Sequence, residues 1–472
     1  MSLTKQIAHN TIIQITGKII STLLGLVAIG MMLRYLPKEQ FGWYTTAITF
    51  LQFAGILIDF GLIPVTAQML GQGKCDQKKL FQNLLGFRFV TALIFFIVTP
   101  LLALFFPYPR EVKYAIALAA ISFLSISMNQ ILIGYYQAKL KMHIQVIGEN
   151  VGRIVLIFGL YFLMERQTAF LPIIGVIVVS AMAYTAVLWI QAARETPTGF
   201  AYDKEIWKTI AKNMWPIAIS IIFNVIYLKG DTILLTLYRS QSEIAEYGAA
   251  YRVIDIISQL AMMMMGVMLP ILAGTWATKA QTEFKKRYQQ SFDVLMLFAL
   301  PITIGTMLLA EPIMELVGGT KYVNSGEILR ILAIAVFGLY LGAVFGHTAV
   351  AINRQKATMW IYISDAVITF TGYLIFIPLY GLWGAAWITV FSELYAGILL
   401  WLTIRHYVDV GLSWVTFGKI LLASAAMGLA ILFLQPLPTL LIILTAIIIY
   451  CAVLYLTKAV AKETIQEVLS IK

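Results

Sequence analysis

The chain has 472 residues, 60% of them hydrophobic and only 12% charged, with a formal net charge of +11 and a mean hydropathy of +0.85. Soluble domains are about 45–50% apolar and about 25% charged, so the composition excludes a soluble enzyme or binding module and specifies an integral membrane protein. The positive balance would suit nucleic acid, but its distribution along the chain assigns it to membrane topology instead.

Charge-free runs recur at 42–58, 89–109, 114–138, 167–193, 256–278, 331–353, 366–392 and 420–457. One span needs roughly 20 apolar residues. The last run therefore holds two helices, divided at Gln435-Pro436-Leu437-Pro438. With the runs that carry isolated charges, the length rule predicts about fourteen spans, or twelve if 420–457 is a later addition. The runs are too long and too uniformly apolar for barrel strands, so the spans are helices.

Taking the N-terminus as cytoplasmic places 20 Lys and Arg in inner loops against 6 in outer ones. The inner set includes Lys78, Lys79, Lys139, Lys141, Lys204, Lys208, Lys212, Arg354 and Lys356. This positive-inside bias orients every helix and puts both termini in the cytoplasm. The first apolar stretch lacks the short core and cleavage site of a secretory signal. Cys75 falls in an inner loop and Cys451 in the last span, which argues against a disulfide. The four histidines are not spaced as metal ligands, so no metal is expected.

The halves repeat weakly. A shift of 206 carries Gly42 onto Gly248 and Pro64 onto Pro270, and a shift of 215 carries Lys139 onto Arg354 and Lys141 onto Lys356. The expected architecture is all-α: two six-helix bundles related by a pseudo-twofold along the membrane normal, sharing a central cleft, plus a C-terminal helix pair. The lobes read as 1–196 and 214–405, with a cytoplasmic amphipathic linker at 197–213 and a terminal hairpin and tail at 406–472. In the linker Ile206, Trp207, Ile210 and Met214 share one helical face and Lys204, Lys208 and Lys212 another. That pattern predicts an interfacial helix with its apolar side in the headgroups, or else a solvated tether.

Five segments, in order over residues 1–405, carry a resemblance: "YLPKEQFGWY", "DFGLIPVTAQ", "GDTILL…EYGAAYRV", "LLAEPIMELVGGTKYVNSGEILRILAIAV" and "PLYGLWGAAWITV". They resemble the polysaccharide flippases of the Wzx type, whose superfamily also holds lipid II flippases and multidrug-and-toxin extruders. The resemblance implies a non-enzymatic transporter of the bacterial inner membrane. It would move an undecaprenyl-pyrophosphate-linked oligosaccharide, an O-antigen or similar repeat unit, to the periplasmic leaflet by alternating access. It allows for a coupling Na+ or proton and for contacts with polysaccharide polymerase machinery. It implies no other cofactor and no nucleic acid.

A charge near a helix centre costs about 2.5–3.5 kcal/mol on insertion scales, so each one needs a cavity or a partner. The cationic candidates for substrate binding are Lys18, Arg88, Arg153, Lys229 and Arg252; Asp59, Glu149, Asp231, Asp255, Asp365 and Glu393 are the acidic ones. Glu149 and Arg153, four apart, and Arg252 and Asp255, three apart, can form intrahelical pairs or contact ligand. Asp59 and Arg88 can bridge adjacent helices. Lys229 and Asp231, two apart, point about 200° from each other and cannot pair. Lys229 is assigned to the cleft, or snorkels outward, and Asp231 to the next helix or a cation. The coupling role of Asp231, Asp365 and Glu393 is implied by the resemblance.

Pro64 and Pro270 are expected to kink their helices and are candidate hinges. Gly17, Ser21 and Gly25, and Gly338, Gly342 and Gly346, form small-residue stripes that permit close helix packing, with Lys18 beside the first. Two other classes compete with the flippase. A cation-coupled multidrug antiporter would want an acidic cleft, for which Arg153, Lys229 and Arg252 are awkward. A membrane polymerase or ligase would want a large catalytic outer loop, whereas the longest outer connection, around 311–326, is short.

Overall fold

The computed structural model describes residues 3–59, 62–71, 76–139, 141–408, 412–434 and 437–459, without the side chains of 3–12, 15, 56–59, 64, 67–68, 71 and 215–228. Among the described residues there are 16 α-helices, one 3₁₀ turn and no strand. The chain divides into two compact units, 1–245 and 246–472. The first contains α1 (Leu3–Tyr35), α2 (Lys38–Asp59), α3 (Leu62–Gly71), α4 (Gln77–Ala103), α5 (Arg110–Ala138), α6 (Met142–Glu165), α7 (Phe170–Glu195) and α8 (Lys204–Tyr238). In the second lie most of α9 (Gln241–Ala277), then α10 (Gln281–Leu308), α11 (Ala310–Gly318), α12 (Ser325–Ala351), α13 (Gln355–Tyr380), α14 (Leu382–Tyr407), α15 (Trp414–Leu434) and α16 (Thr439–Leu456).

Twelve of these helices are long and apolar enough to cross a membrane: α1, α4 to α7, α9, α10 and α12 to α16. At 1.5 Å per residue, the 22 residues of α2 and the 35 of α8 also exceed a hydrocarbon core of about 30 Å. Among the described residues, twelve helices meet both the length and the hydropathy rule, and α2 and α8 meet the length rule alone. Pro64 falls in the first turn of α3, where a missing N–H is tolerated. Pro270 lies inside α9.

In the first unit α5 contacts α2, α3, α4 and α7, while α1 lies along α6. The small-residue stripe sets the second contact: a Cβ at Gly17 would fall 2.1 Å from Val146 Cγ1. The predicted linker is the opening of α8 and runs straight into the next span. Asp203 starts it, its Oδ1 accepting from the backbone N–H groups of Glu205 at 3.1 Å and Ile206 at 3.3 Å. Ile210 and Met214 are buried in a cluster with Leu80, Leu84 and Tyr135, and Trp207 packs edge-on to Phe87 at 5.2 Å. Lys204, Lys208 and Lys212 are exposed. The apolar face thus meets the protein's own helices in place of the expected lipid headgroups. Each buried Ile or Met side chain there contributes about 1.5–3 kcal/mol. The helix also packs on α2 and α4, so the first unit extends through it.

In the second unit the glycines of α12 let it pack against α14. A Cβ at Gly338 would lie 2.6 Å from the Glu393 carbonyl carbon, and one at Gly397 would lie 2.9 Å from Gly338 O. Gly346 approaches the Tyr362 hydroxyl in the same way, whereas nothing lies within 4 Å of a Cβ at Gly342. The corner between α13 and α14 turns on Gly381, whose φ of 59° favours glycine. The terminal hairpin packs α15 on α10, and Tyr450 of α16 donates to Leu297 O at 2.7 Å.

Candidate functional site

The membrane charges of the first unit concentrate where α1 meets α6. Lys18 Nζ lies 3.0 Å from Glu149 Oε1. Ser21, one turn on, donates to the same oxygen at 2.7 Å. Asn150 Nδ2 donates to Val146 O at 2.9 Å and reaches toward Gly17 O at 3.5 Å. One turn beyond Glu149, the Arg153 guanidinium lies over Gly25, 3.5 Å from where a Cβ would sit.

This arrangement corrects one expectation: Glu149 pairs with Lys18 and Ser21 across the helix contact, and not with Arg153 along its own helix. The cause is the small-residue stripe, which brings α1 close enough for two α1 donors to reach one carboxylate. Among the described residues no carboxylate forms an ion pair with Arg153. The geometry leaves a guanidinium, planar and permanently charged, in a membrane-spanning helix with its face against a glycine.

The other candidates of this unit are placed differently. Arg88 is 2% exposed and donates to Ser127 O and Ser127 Oγ, both at 3.2 Å, joining α4 to α5. Its expected partner Asp59 has a side chain outside the described residues, as does Pro64. Asp231 is 1% exposed and accepts from Thr232, from N–H at 2.5 Å and from Oγ1 at 3.1 Å. Lys229 is half-buried.

In the second unit Arg252 and Asp255 pair along α9 at 3.5 Å, both part-exposed, as their spacing predicts. Asp365 of α13 is 1% exposed. Its Oδ1 accepts from Thr369 Oγ1 and from Ser392 Oγ of α14, each at 3.0 Å. Its Oδ2 is buried and has no hydrogen-bond partner among the described residues. One turn along both helices, Tyr373 and Thr389 share a hydroxyl–hydroxyl bond of 2.9 Å. Glu393 is half-buried beside Ser392, with its backbone against Gly338. A carboxyl ringed by hydroxyl oxygens can hold a proton or a small hard cation.

The sequence reading took Ser21 for a packing residue only, and Thr369 and Ser392 escaped it. Thr369 follows Asp365 by four residues, a visible helical spacing. Ser21 and Ser392 had no such signal, because their partners lie on other helices.

The chain matches the family described as polysaccharide biosynthesis protein over residues 7–276, and MatE over 216–375. It is 20% identical over 203 residues to a probable low-salt glycan biosynthesis flippase of Haloferax volcanii, a match covering 42% of this chain and 43% of that one. The chain thus spans under half the length of that curated relative. Its fold is similar to the lipid II flippase MurJ in an inward closed conformation, with a TM-score of 0.78 and 15% identity, covering 94% of this chain and 97% of that one. An inward-facing multidrug resistance MATE family transporter superposes with a TM-score of 0.68 and 15% identity, covering 84% and 98%. A transporter of the same superfamily from Pyrococcus furiosus gives 0.61 and 14% identity, covering 86% and 96%. With more than half its length matched, the chain belongs to the polysaccharide biosynthesis protein family.

Proposed function

We propose that the protein is a flippase for a pyrophosphate-linked lipid oligosaccharide, an O-antigen or similar unit on undecaprenyl pyrophosphate. It carries this from the cytoplasmic to the periplasmic leaflet of a bacterial inner membrane by alternating access. Both termini lie in the cytoplasm, and polysaccharide polymerase machinery is a fitting partner on the far side. A diphosphate and its sugars do not cross hydrocarbon unaided, so the transporter must replace their lost hydration. Charge-assisted donors do this well.

The observation that carries the reading is Arg153, a guanidinium in a membrane-spanning helix that lies over Gly25 and has no paired carboxylate among the described residues. It supplies a bidentate donor for one phosphate. Lys18, shared with Glu149, is a second donor whose carboxylate partner can be exchanged for phosphate. Lys229 is a further membrane cation of the same unit. The family membership and the name of the Haloferax relative support the substrate class.

Coupling is assigned to Asp365. Its Oδ2, without a partner among the described residues, and the hydroxyls of Thr369 and Ser392 suit a proton or Na+. The test is reconstitution of the purified protein with a fluorescent undecaprenyl-pyrophosphate oligosaccharide, with and without proton and Na+ gradients.

A second reading, a cation-coupled drug antiporter, draws on the MatE match over 216–375 and on the same buried acid. Export of cationic dyes from cells that also fail to restore surface polysaccharide would favour it.

A further inference from the structure

At the lysine-bearing ends of α3, α4, α5 and α7, the first unit has a cavity of 290 Å³ lined by Leu70, Asp76, Gln77, Lys78, Tyr135, Ala138, Lys139, Glu195 and Thr196. Its volume is at the low end of the small-molecule range of about 300–1,000 Å³, too small for a lipid-linked oligosaccharide but adequate for a headgroup. None of its residues belongs to the α1–α6 site.

The charges around it are arranged by one carboxylate. Glu195, at the end of α7, takes Lys141 at 2.8 Å on Oε1 and Lys139 at 3.3 Å on Oε2. The Tyr135 hydroxyl also reaches Oε2 at 3.3 Å and bonds the Lys139 ammonium, which lies 4.3 Å from the Tyr135 ring centroid. Burial disfavours the Lys139 ammonium, but the Tyr135 and Glu195 bonds outweigh it, so its pKa stands above the ordinary value and the group stays charged. An ammonium has three donors; the Tyr135 hydroxyl and Glu195 take two of them, and Lys139 lines the cavity. Lys78 holds no side-chain partner among the described residues. Asp76 is occupied as the cap of α4, accepting from the N–H groups of Lys78 at 2.9 Å and Lys79 at 3.5 Å.

The repeat supplies a control. Arg354 and Lys356 stand where Lys139 and Lys141 do in the first half. Among the described residues they form no ion pair, and Arg354 lies over the Tyr407 ring at 4.4 Å. The hairpin therefore does not require a carboxylate in order to fold. In the first unit, Glu195 fixes two ammonium groups at the rim of a cavity.

We propose that this cavity binds a phosphate group, with Lys78 and Lys139 as its donors. The site goes beyond the transport reading and does not depend on it. The phosphate comes from an anionic phospholipid headgroup or from a soluble phosphate. Lys141 keeps Glu195, the shorter of the two bonds, while Lys139 turns to the ligand. Basic pockets between membrane helices recognise anionic headgroups by this chemistry.

The experiment uses the full-length protein, with native mass spectrometry after exchange into phosphatidylglycerol or phosphatidylcholine nanodiscs. A thermal-shift titration with inorganic phosphate at constant ionic strength runs in parallel. Lys78→Gln/Lys139→Gln should weaken retention of phosphatidylglycerol about 10- to 30-fold, while Lys208→Gln/Lys212→Gln, exposed on α8 outside the cavity, should not. Lys78→Gln alone, which breaks no contact of the fold, should give about fivefold. Loss of the phosphatidylglycerol preference identifies a lipid site. A Tm rise with inorganic phosphate that the double variant lacks identifies a soluble ligand. The proposal is overturned if neither probe separates Lys78→Gln from wild type, or if the α8 control loses as much.

Discussion

The guanidinium of Arg153 lies across Gly25, with its Cζ 3.5 Å from the place a Cβ would take. The contact joins α6 to α1 and shares that interface with the Lys18–Glu149 pair one to two turns away. Close helix packing and exposed charge, which usually exclude each other in a membrane, occupy the same stripe here. Gly17 brings the backbones together, and Gly25 leaves a flat place for a cation.

The two glycines should respond differently to alanine. At Gly17 the new methyl meets Val146 at 2.1 Å, and overpacking of this kind costs about 1–3 kcal/mol. Gly25→Ala adds an ordinary van der Waals contact and should leave stability within about 0.5 kcal/mol. Thermal unfolding in detergent compares them; a Gly17→Ala protein as stable as Gly25→Ala would contradict the α1–α6 packing.

Lys18 and Glu149 should be energetically coupled. With Lys18 41% exposed and Glu149 17%, the pair is screened, and a double-mutant cycle should give about 0.5–1 kcal/mol. Glu149→Ala also deprives Ser21 of its acceptor, so it should destabilise more than Lys18→Ala. Strict additivity would place the two side chains apart.

The start of α8 should be held by pH. Asp203 bonds Lys79 at 2.6 Å, and that hydrogen bond, with those from Ile206 and Glu205, holds its carboxyl below the ordinary 3.8. A depressed carboxyl stabilises the fold above its unfolded pKa and loses that contribution as pH falls through the folded one. The Lys79 pKa is raised from 10.5 by the same bond, so its contribution persists through neutral pH and fades only as pH rises past its folded value. Protection factors for amide exchange at 204–207, corrected for the intrinsic rate at each pH, should therefore be high at neutral pH and fall once pH drops below about 4. In Asp203→Asn this acid step should be absent; a wild-type profile in that variant would assign the step elsewhere.

Asp365→Asn should separate fold from coupling. Thr369 and Ser392 can still donate to the amide oxygen, so unfolding temperature should hold, while acceleration of transport by a Na+ or proton gradient disappears. If the variant keeps its gradient response, the coupling group is another acid.

Much of the membrane layout was legible in the chain, because hydropathy over twenty residues reports directly on bilayer thickness. The all-helical layout, the glycine stripes and the Arg252–Asp255 pair follow from local spacing. What failed was the choice of partner across space. Glu149 had Arg153 one turn away and took Lys18, 131 residues distant, because helix approach, not sequence separation, decides which donors reach a carboxylate. The amphipathic start of α8 failed for a similar reason. An apolar face declares that it will be covered, but Ile210 and Trp207 do not say whether by headgroups or by Phe87 and Leu84. Ser392 was invisible as a partner of Asp365 because it sits on the next helix.

The most direct measurement of the central claim is the initial flipping rate of a pyrophosphate-linked oligosaccharide in proteoliposomes carrying wild type, Arg153→Lys or Arg153→Ala. If Arg153 takes the diphosphate, Arg153→Ala should lose about 10- to 100-fold, corresponding to one charge-assisted bond or bidentate pair. Arg153→Lys should recover part of that loss and Gly25→Leu should imitate it. Wild-type rates in Arg153→Ala at equal reconstitution would contradict the account.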